Sequence, residues 1–327
     1  DALSCYQYAI ELKPDFSTAH YNKGMLLYEL EDFLEASKFC RRAIVLNPEI
    51  EMFWNGFAKS IETLSFESAD DVLFSDLLRL LERPSVSSSD IIPSIISALY
   101  CHPIFSRLQK LVCGNEKQTE LPYNLISKQL SEIPLLLRIM QLSPIYDLNL
   151  ERMFTLLRFA LLKATIAGEI DEEGLPFSAA LALQCFTNEY VFAEHDEEKK
   201  ALEALHNKIA VDLEIGNQVP SSHIAALGAY IPLYKFTQAQ NICERKWCRD
   251  IQEVVVRQIL EPQAELSLRS QIPELTSIRN RISHSVREQF EENRWPLWVK
   301  TGLNITSKPI KAVLEETPLN FRLDDYI

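Results

Sequence analysis

Residues 1–14, Asp1-Ala-Leu-Ser-Cys-Tyr-Gln-Tyr-Ala-Ile-Glu-Leu-Lys-Pro14, are answered by residues 35–48, Glu35-Ala-Ser-Lys-Phe-Cys-Arg-Arg-Ala-Ile-Val-Leu-Asn-Pro48. Ala2, Ala9, Ile10, Leu12 and Pro14 recur 34 residues later as Ala36, Ala43, Ile44, Leu46 and Pro48. Small residues at helical spacing let two helices approach closely, and each proline stops the helix before it. A unit of this kind cannot bury its apolar face alone. It gains stability by stacking on its neighbours. The fold class that follows is all-α.

The 34-residue period belongs to the tetratricopeptide repeat, a helix–turn–helix unit with the signature W-x2-L-G-x2-Y, A-x3-F and a closing proline. In this chain it reads His20-x2-Lys23-Gly24-x2-Leu27, then Ala36-x3-Cys40, then Pro48. The small residues and the proline match better than the large ones. Residues 1–13 form the second helix of an incomplete repeat, and residues 15–48 a complete one. Glu51 to Leu64 starts another, with Trp54, Ala58 and Ile61 standing 34 residues past His20, Gly24 and Leu27. Val72 to Leu81, closed by Pro84, is the second helix of a degenerate last repeat that caps the array. The repeat segment is therefore expected over 1–84. Because the chain opens inside a repeat, a longer parent is expected.

Beyond the serine-rich break at 85–90, an all-helical domain is expected over 85–299. Asp90 is expected to cap a helix from Ile91 to Cys101, and Pro103 to open another. From Asn149 an amphipathic helix carries Leu150, Met153, Phe154, Leu157, Ala160, Leu161 and Ala164 on one face, with Gly168 ending it. Phe177 to Ala193 is apolar on nearly every side and is placed at the centre. Asp196, Glu197 and Glu198 favour the positive end of a further helix. Ser221 and Ser222 cap another. The Val254–Val256 run fits helical spacing better than a strand. Residues 300–327 read as a linker toward a missing C-terminal domain.

Composition narrows the function classes. The formal net charge of −13 disfavours nucleic acid and anionic membrane as partners. Only 8 glycines disfavour phosphate-cradling loops. The 7 cysteines form no C-x-x-C pair, which fits reduced thiols in a cytoplasmic protein. No zinc-binding spacing occurs. Glu194-His195-Asp196 is better explained as a solvated helix start, since neighbours on a helix diverge. Cys243 and Cys248 with His223 are better explained as structural residues, and Glu291-Glu292 as ordinary surface carboxylates. The repeat face offers Tyr21, Asn22, Lys23 and Tyr28 for a peptide. The Trp295-Pro-Leu-Trp298 cluster is either a helix stop or a docking edge.

Two segments carry a resemblance. Gln184-Cys-Phe-Thr-Asn-Glu-Tyr-Val-Phe-Ala-Glu194 resembles a Q-C-F-x-N-E-Y-V-F block in bacterial proteins that join tetratricopeptide repeats to a class I S-adenosylmethionine-dependent methyltransferase. Val286-Arg-Glu-Gln-Phe-Glu-Glu-Asn-Arg-Trp-Pro-Leu-Trp298 resembles their V-R-x-Q-Y-E-E-N-P-Y-P-R-W block. It departs at Phe290 and over Arg294–Leu297. The family's glycine-rich cofactor motif follows the second block, whereas no G-x-G occurs in this chain.

The resemblance implies a methyltransferase parent with S-adenosylmethionine as its cofactor. This chain would then be the non-catalytic part, holding neither cofactor nor metal, and recruiting a protein or peptide through its repeats. Val286, Phe290, Glu292, Trp295 and Trp298 are the expected contact with the catalytic domain. The alternative is a free-standing tetratricopeptide adaptor. A complete enzyme within these residues would need a polar pocket that the sequence does not advertise.

Overall fold

The structure, a computed structural model, describes residues 2–114 and 121–269, together with 271, 285, 286 and 299. Among the described residues every regular element is a helix. The chain is all-α, as its apolar periodicity requires.

The first four helices are α1 (Ala2–Leu12), α2 (Ser17–Glu29), α3 (Phe33–Leu46) and α4 (Glu51–Ile61). Each packs on its predecessor, and α2 also meets α4. Gly24 allows a close approach of α2 to α3. A Cβ there would lie 2.9 Å from Cys40 Sγ and 3.1 Å from the Ala36 carbonyl oxygen. Ala36, Cys40 and Ala43 are fully buried beneath it. At the turn between α2 and α3, Asp32 accepts a hydrogen bond from Glu35 N at 3.3 Å, satisfying one free amide of the helix start. The turns before α2 and α4 are built alike. His20 Nε2 donates to the Pro14 carbonyl oxygen at 2.9 Å, and Trp54 Nε1 to that of Pro48 at 2.8 Å.

The next helix, α5 (Asp71–Leu81), starts where the Asp70 carboxylate accepts from Leu73 N at 2.7 Å. It packs chiefly on α9 (Pro134–Leu142). It is tied back to α3 and α4 by side chains. Arg41 of α3 pairs with Asp76 at 2.8 Å. The guanidinium groups of Arg79 and Arg83 lie 4.9 and 4.5 Å from the Trp54 ring. Across residue 85 the hydrophobic core continues without a break, from Cys40 to Ile259.

The remaining helices wrap one apolar centre. In order they are α6 (Ser88–Cys101), α7 (Pro103–Cys113), α8 (Tyr123–Ser131), α10 (Leu148–Ala167), α11 (Leu175–Thr187), α12 (Asp196–Glu214), α13 (Ser221–Gly228), α14 (Ala239–Cys243), α15 (Arg249–Val255) and α16 (Glu261–Arg269). A 3-10 turn occupies Leu233–Lys235 and a π-helical turn Val256–Leu260. Helix α11 lies at the centre, touching α8, α9, α13 and α15, with nearly every side chain buried.

Several boundaries differ from expectation, among them the start of α13, where Pro220 stands at the N-cap and Ser221 and Ser222 lie inside the helix. Helix α6 begins at Ser88, ahead of Ile91, with Asp90 inside its first turn. Ser87 and Ser89 bond each other at 2.7 Å there. Helix α11 stops at Thr187 and does not reach Ala193. Glu189 and Tyr190 turn the chain with φ of 51° and 58°, and Tyr190 N closes on the Cys185 carbonyl oxygen at 2.9 Å. Among the described residues no single helix is long and apolar enough to cross a membrane. The expected linker at 300–327 lies outside the described residues.

Candidate functional site

A groove of about 630 Å³ opens between α1 and α3, with α2 as its floor. Helix α1 contributes Leu3, Gln7, Tyr8 and Glu11; α2 contributes Lys23 and Leu27; α3 contributes Glu35 and Phe39. A polar relay crosses it. Lys23 Nζ donates to Gln7 Oε1 at 2.6 Å, and Gln7 Nε2 donates to Glu11 Oε1 at 2.9 Å. The same ammonium stands 4.1 Å from the centre of the Phe39 ring, in range of a cation–π attraction. Glu35 pairs with Lys38 at 2.5 Å, and Tyr8 is 62% exposed at the groove wall.

The next unit shows why this groove is open. The positions 34 residues past Lys23 and Leu27 are Phe57 and Ile61, both completely buried. The position 34 past Gln7 is Arg41, whose pairing with Asp76 joins α3 to α5. A lysine thus stands 34 residues before a core phenylalanine. Its charge must stay near solvent and a polar partner, so the space above α2 is not filled.

Of the residues expected to form a peptide face, Lys23 is the one that lines this groove. Tyr21 faces α4, its ring 5.2 Å from Phe53 and close against Gly56. Asn22 is half-buried. Tyr28 stacks obliquely on Phe33 at 5.6 Å beside the α2–α3 turn. Gln7, Tyr8, Glu11 and Phe39 also line the groove, and their residue types alone do not single them out. Aligning Lys23 with Phe57 was the available signal, because a charge at an otherwise apolar repeat position marks a gap in the packing. Val286 is 44% exposed. Phe290, Glu292, Trp295 and Trp298 lie outside the described residues, as do Glu291 and Arg294.

Much of the block 184–194 is internal scaffold, while Val191, Ala193 and Glu194 are exposed. With its amide nitrogen turned toward the carbonyl oxygens of Met140 and Ser143, the orientation that satisfies every partner, Gln184 donates to them at 3.0 and 3.1 Å and accepts from Ile145 N at 3.1 Å. Burial pushes the Cys185 thiol up to about 12, leaving it an inert packing group. Phe192 covers Arg158 at 5.4 Å, and the Ala193 carbonyl oxygen accepts from Arg158 Nη2 at 2.9 Å. Arg158 and Glu198 form a buried pair at 3.7 Å. Tyr230 OH donates to Glu198 Oε1 at 2.6 Å, and its ring faces the guanidinium at 4.2 Å.

The π-helical turn is equally structural. Gln258 Nε2 donates to the carbonyl oxygens of Ala182 and Gly228 at 2.9 and 3.0 Å. Arg257 donates to Thr187 Oγ1 at 3.2 Å and to the Gln141 carbonyl oxygen.

Glu194, His195 and Asp196 open α12, where His195 N donates to Glu198 Oε2 at 2.9 Å. Cys248 Sγ faces Ser221 Oγ at 3.9 Å, while both ring nitrogens of His223 are buried without a partner. Among the described residues no group of three or more His, Cys, Asp or Glu side chains is placed to hold a metal ion. Compared with protein-family models, curated proteins and solved structures, the chain matches none.

Proposed function

We propose that the chain is a protein-interaction and substrate-recruiting region of an S-adenosylmethionine-dependent methyltransferase, with tetratricopeptide hairpins at its start. The groove over Lys23 is the observation that carries the recruiting role. It joins aromatic and aliphatic walls to a few placed polar groups, the composition expected of a binding cleft. The tetratricopeptide assignment draws support from the two hydrogen bonds to Pro14 and Pro48, one period apart, and from the close approach at Gly24. The methyltransferase assignment rests on the resembling blocks at 184–194 and 286–298. S-adenosylmethionine would be held by the parent's catalytic domain, not by these helices.

A thermal-shift titration with S-adenosylmethionine tests the assignment, because a ligand of the native state raises its melting temperature. The full gene product is expected to shift while the present chain does not. A shift of the present chain would place a cofactor site within these helices and overturn the recruiting role. If neither responds, a free-standing adaptor becomes the better account. The groove favours that reading equally, since it needs no second domain to form.

A further inference from the structure

We infer that the groove between α1 and α3 recognises an arginine- or lysine-bearing peptide segment, with Lys23 as a resident stand-in for the ligand's cation. The inference rests on the recruiting role proposed above and specifies its substrate class.

The slot already holds an alkylammonium group. Lys23 Nζ lies against the face of Phe39 and is hydrogen-bonded to Gln7 Oε1. Among the described residues it has no carboxylate within ion-pair distance. Two carboxylates line the same cleft, Glu11, which accepts from Gln7, and Glu35, which also pairs with Lys38 at 2.5 Å, and Tyr8 adds a second, largely exposed ring. Aromatic faces bounded by carboxylates attract cations and offer little to an anion. A chain of net charge −13 adds a long-range field that draws basic segments and repels acidic ones. The Lys23 side chain is long and only half-buried, so it can swing out and yield Phe39 and Gln7 to an incoming guanidinium or ammonium. The aliphatic parts of Leu3 and Leu27 would then receive the apolar neighbours of that cation.

The test is fluorescence anisotropy at low and physiological salt, using a labelled peptide alternating arginine and leucine. Its counterparts carry citrulline, a neutral isostere, or glutamate in place of arginine. The arginine peptide is expected to bind, with the other two about tenfold weaker or worse. Phe39→Ala and the paired Glu11→Gln and Glu35→Gln change should each weaken it about three- to tenfold. Lys23→Met, which removes the resident cation, should tighten it. Circular dichroism confirms that each variant is folded, and the Glu→Gln pair guards against loss of packing in Phe39→Ala.

Preferential binding of the citrulline or glutamate peptide that is still lost in Phe39→Ala would overturn the cation assignment and leave the groove as a docking site. Arginine binding untouched by all of these changes would place it elsewhere on the acidic surface, removing both the inference and the groove's recruiting role. Binding of none of the three would overturn the cation assignment without bearing on recruitment of another peptide.

Discussion

Trp54 Nε1 donates to the Pro48 carbonyl oxygen at 2.8 Å, clamping the start of α4 over the proline that ends α3. One period earlier His20 makes the corresponding bond to Pro14. The later clamp is the more fully buried. Trp54 is completely buried and sits beneath two guanidinium groups, whereas the Nδ1 of His20 has no partner. Trp54→Phe keeps most of the apolar volume and removes this donor, while Arg83 Nη2 still donates to the Pro48 carbonyl at 3.2 Å. Urea unfolding is expected to show a loss of about 0.5–1.5 kcal/mol for the bond. His20→Phe should cost less. Equal losses would mean that the two turns are held by packing alone.

The close approach at Gly24 makes a second prediction with opposing terms. Alanine is favoured over glycine in a helix by about 1 kcal/mol. Against this, the new methyl group would meet Cys40 Sγ at 2.9 Å and a backbone oxygen at 3.1 Å. Overpacking a tight site typically costs about 1–3 kcal/mol, so Gly24→Ala is expected to be net destabilising. Adding Cys40→Ala removes the sulfur contact but not the backbone one, and should recover part of the loss. A stabilised Gly24→Ala variant would show that α2 and α3 separate at little cost.

The buried pair Arg158–Glu198 gives a third. Both side chains are essentially inaccessible, and Glu198 also accepts from Tyr230 OH and His195 N. Glu198→Gln leaves a buried guanidinium without its counter-charge, a change that typically costs about 3–5 kcal/mol. Replacing both residues by methionine removes the charge problem along with the pair. The double variant is expected to lose less than the sum of the two single ones. Strict additivity, measured by chemical denaturation, would mean that the two charges do not interact.

These sites show what the sequence could and could not reveal. The helical character of the region holding α2, α3 and α4 was legible because apolar spacing and the prolines at 14 and 48 act locally. The apolar face assigned to α10 captured Leu150, Met153, Phe154, Leu157 and Leu161, all buried. It omitted Arg158, Leu162 and Thr165, which are also buried, because α12 and α13 cover a second side of that helix. A charged residue next to an apolar stripe looks solvated until a distant segment supplies its partner. Glu198, some 40 residues on, is such a partner. The groove was legible only in part. Lys23 stood out by residue type, but whether it faced α1 or α4 depended on packing between helices, which a single-helix pattern does not contain.

The fourth prediction concerns acid sensitivity at α13. His223 is buried with neither ring nitrogen hydrogen-bonded. Burial lowers its pKa, and the nearby Lys208 lowers it further, while Asp212 opposes both. The folded state thus binds this proton less readily than the unfolded chain, whose histidine titrates near about 6.5. Where the unfolded state binds more protons, stability rises with pH. The contribution is therefore intact above about pH 6.5 and declines as pH falls below it, until the folded-state pKa is passed. His102 is also lowered by burial, so the two must be separated by substitution. In His223→Leu the loss of stability between pH 7 and pH 5 should be smaller than in the unaltered chain, as read from urea midpoints at each pH. An unchanged slope would place the proton-linked step at His102 or among the carboxylates.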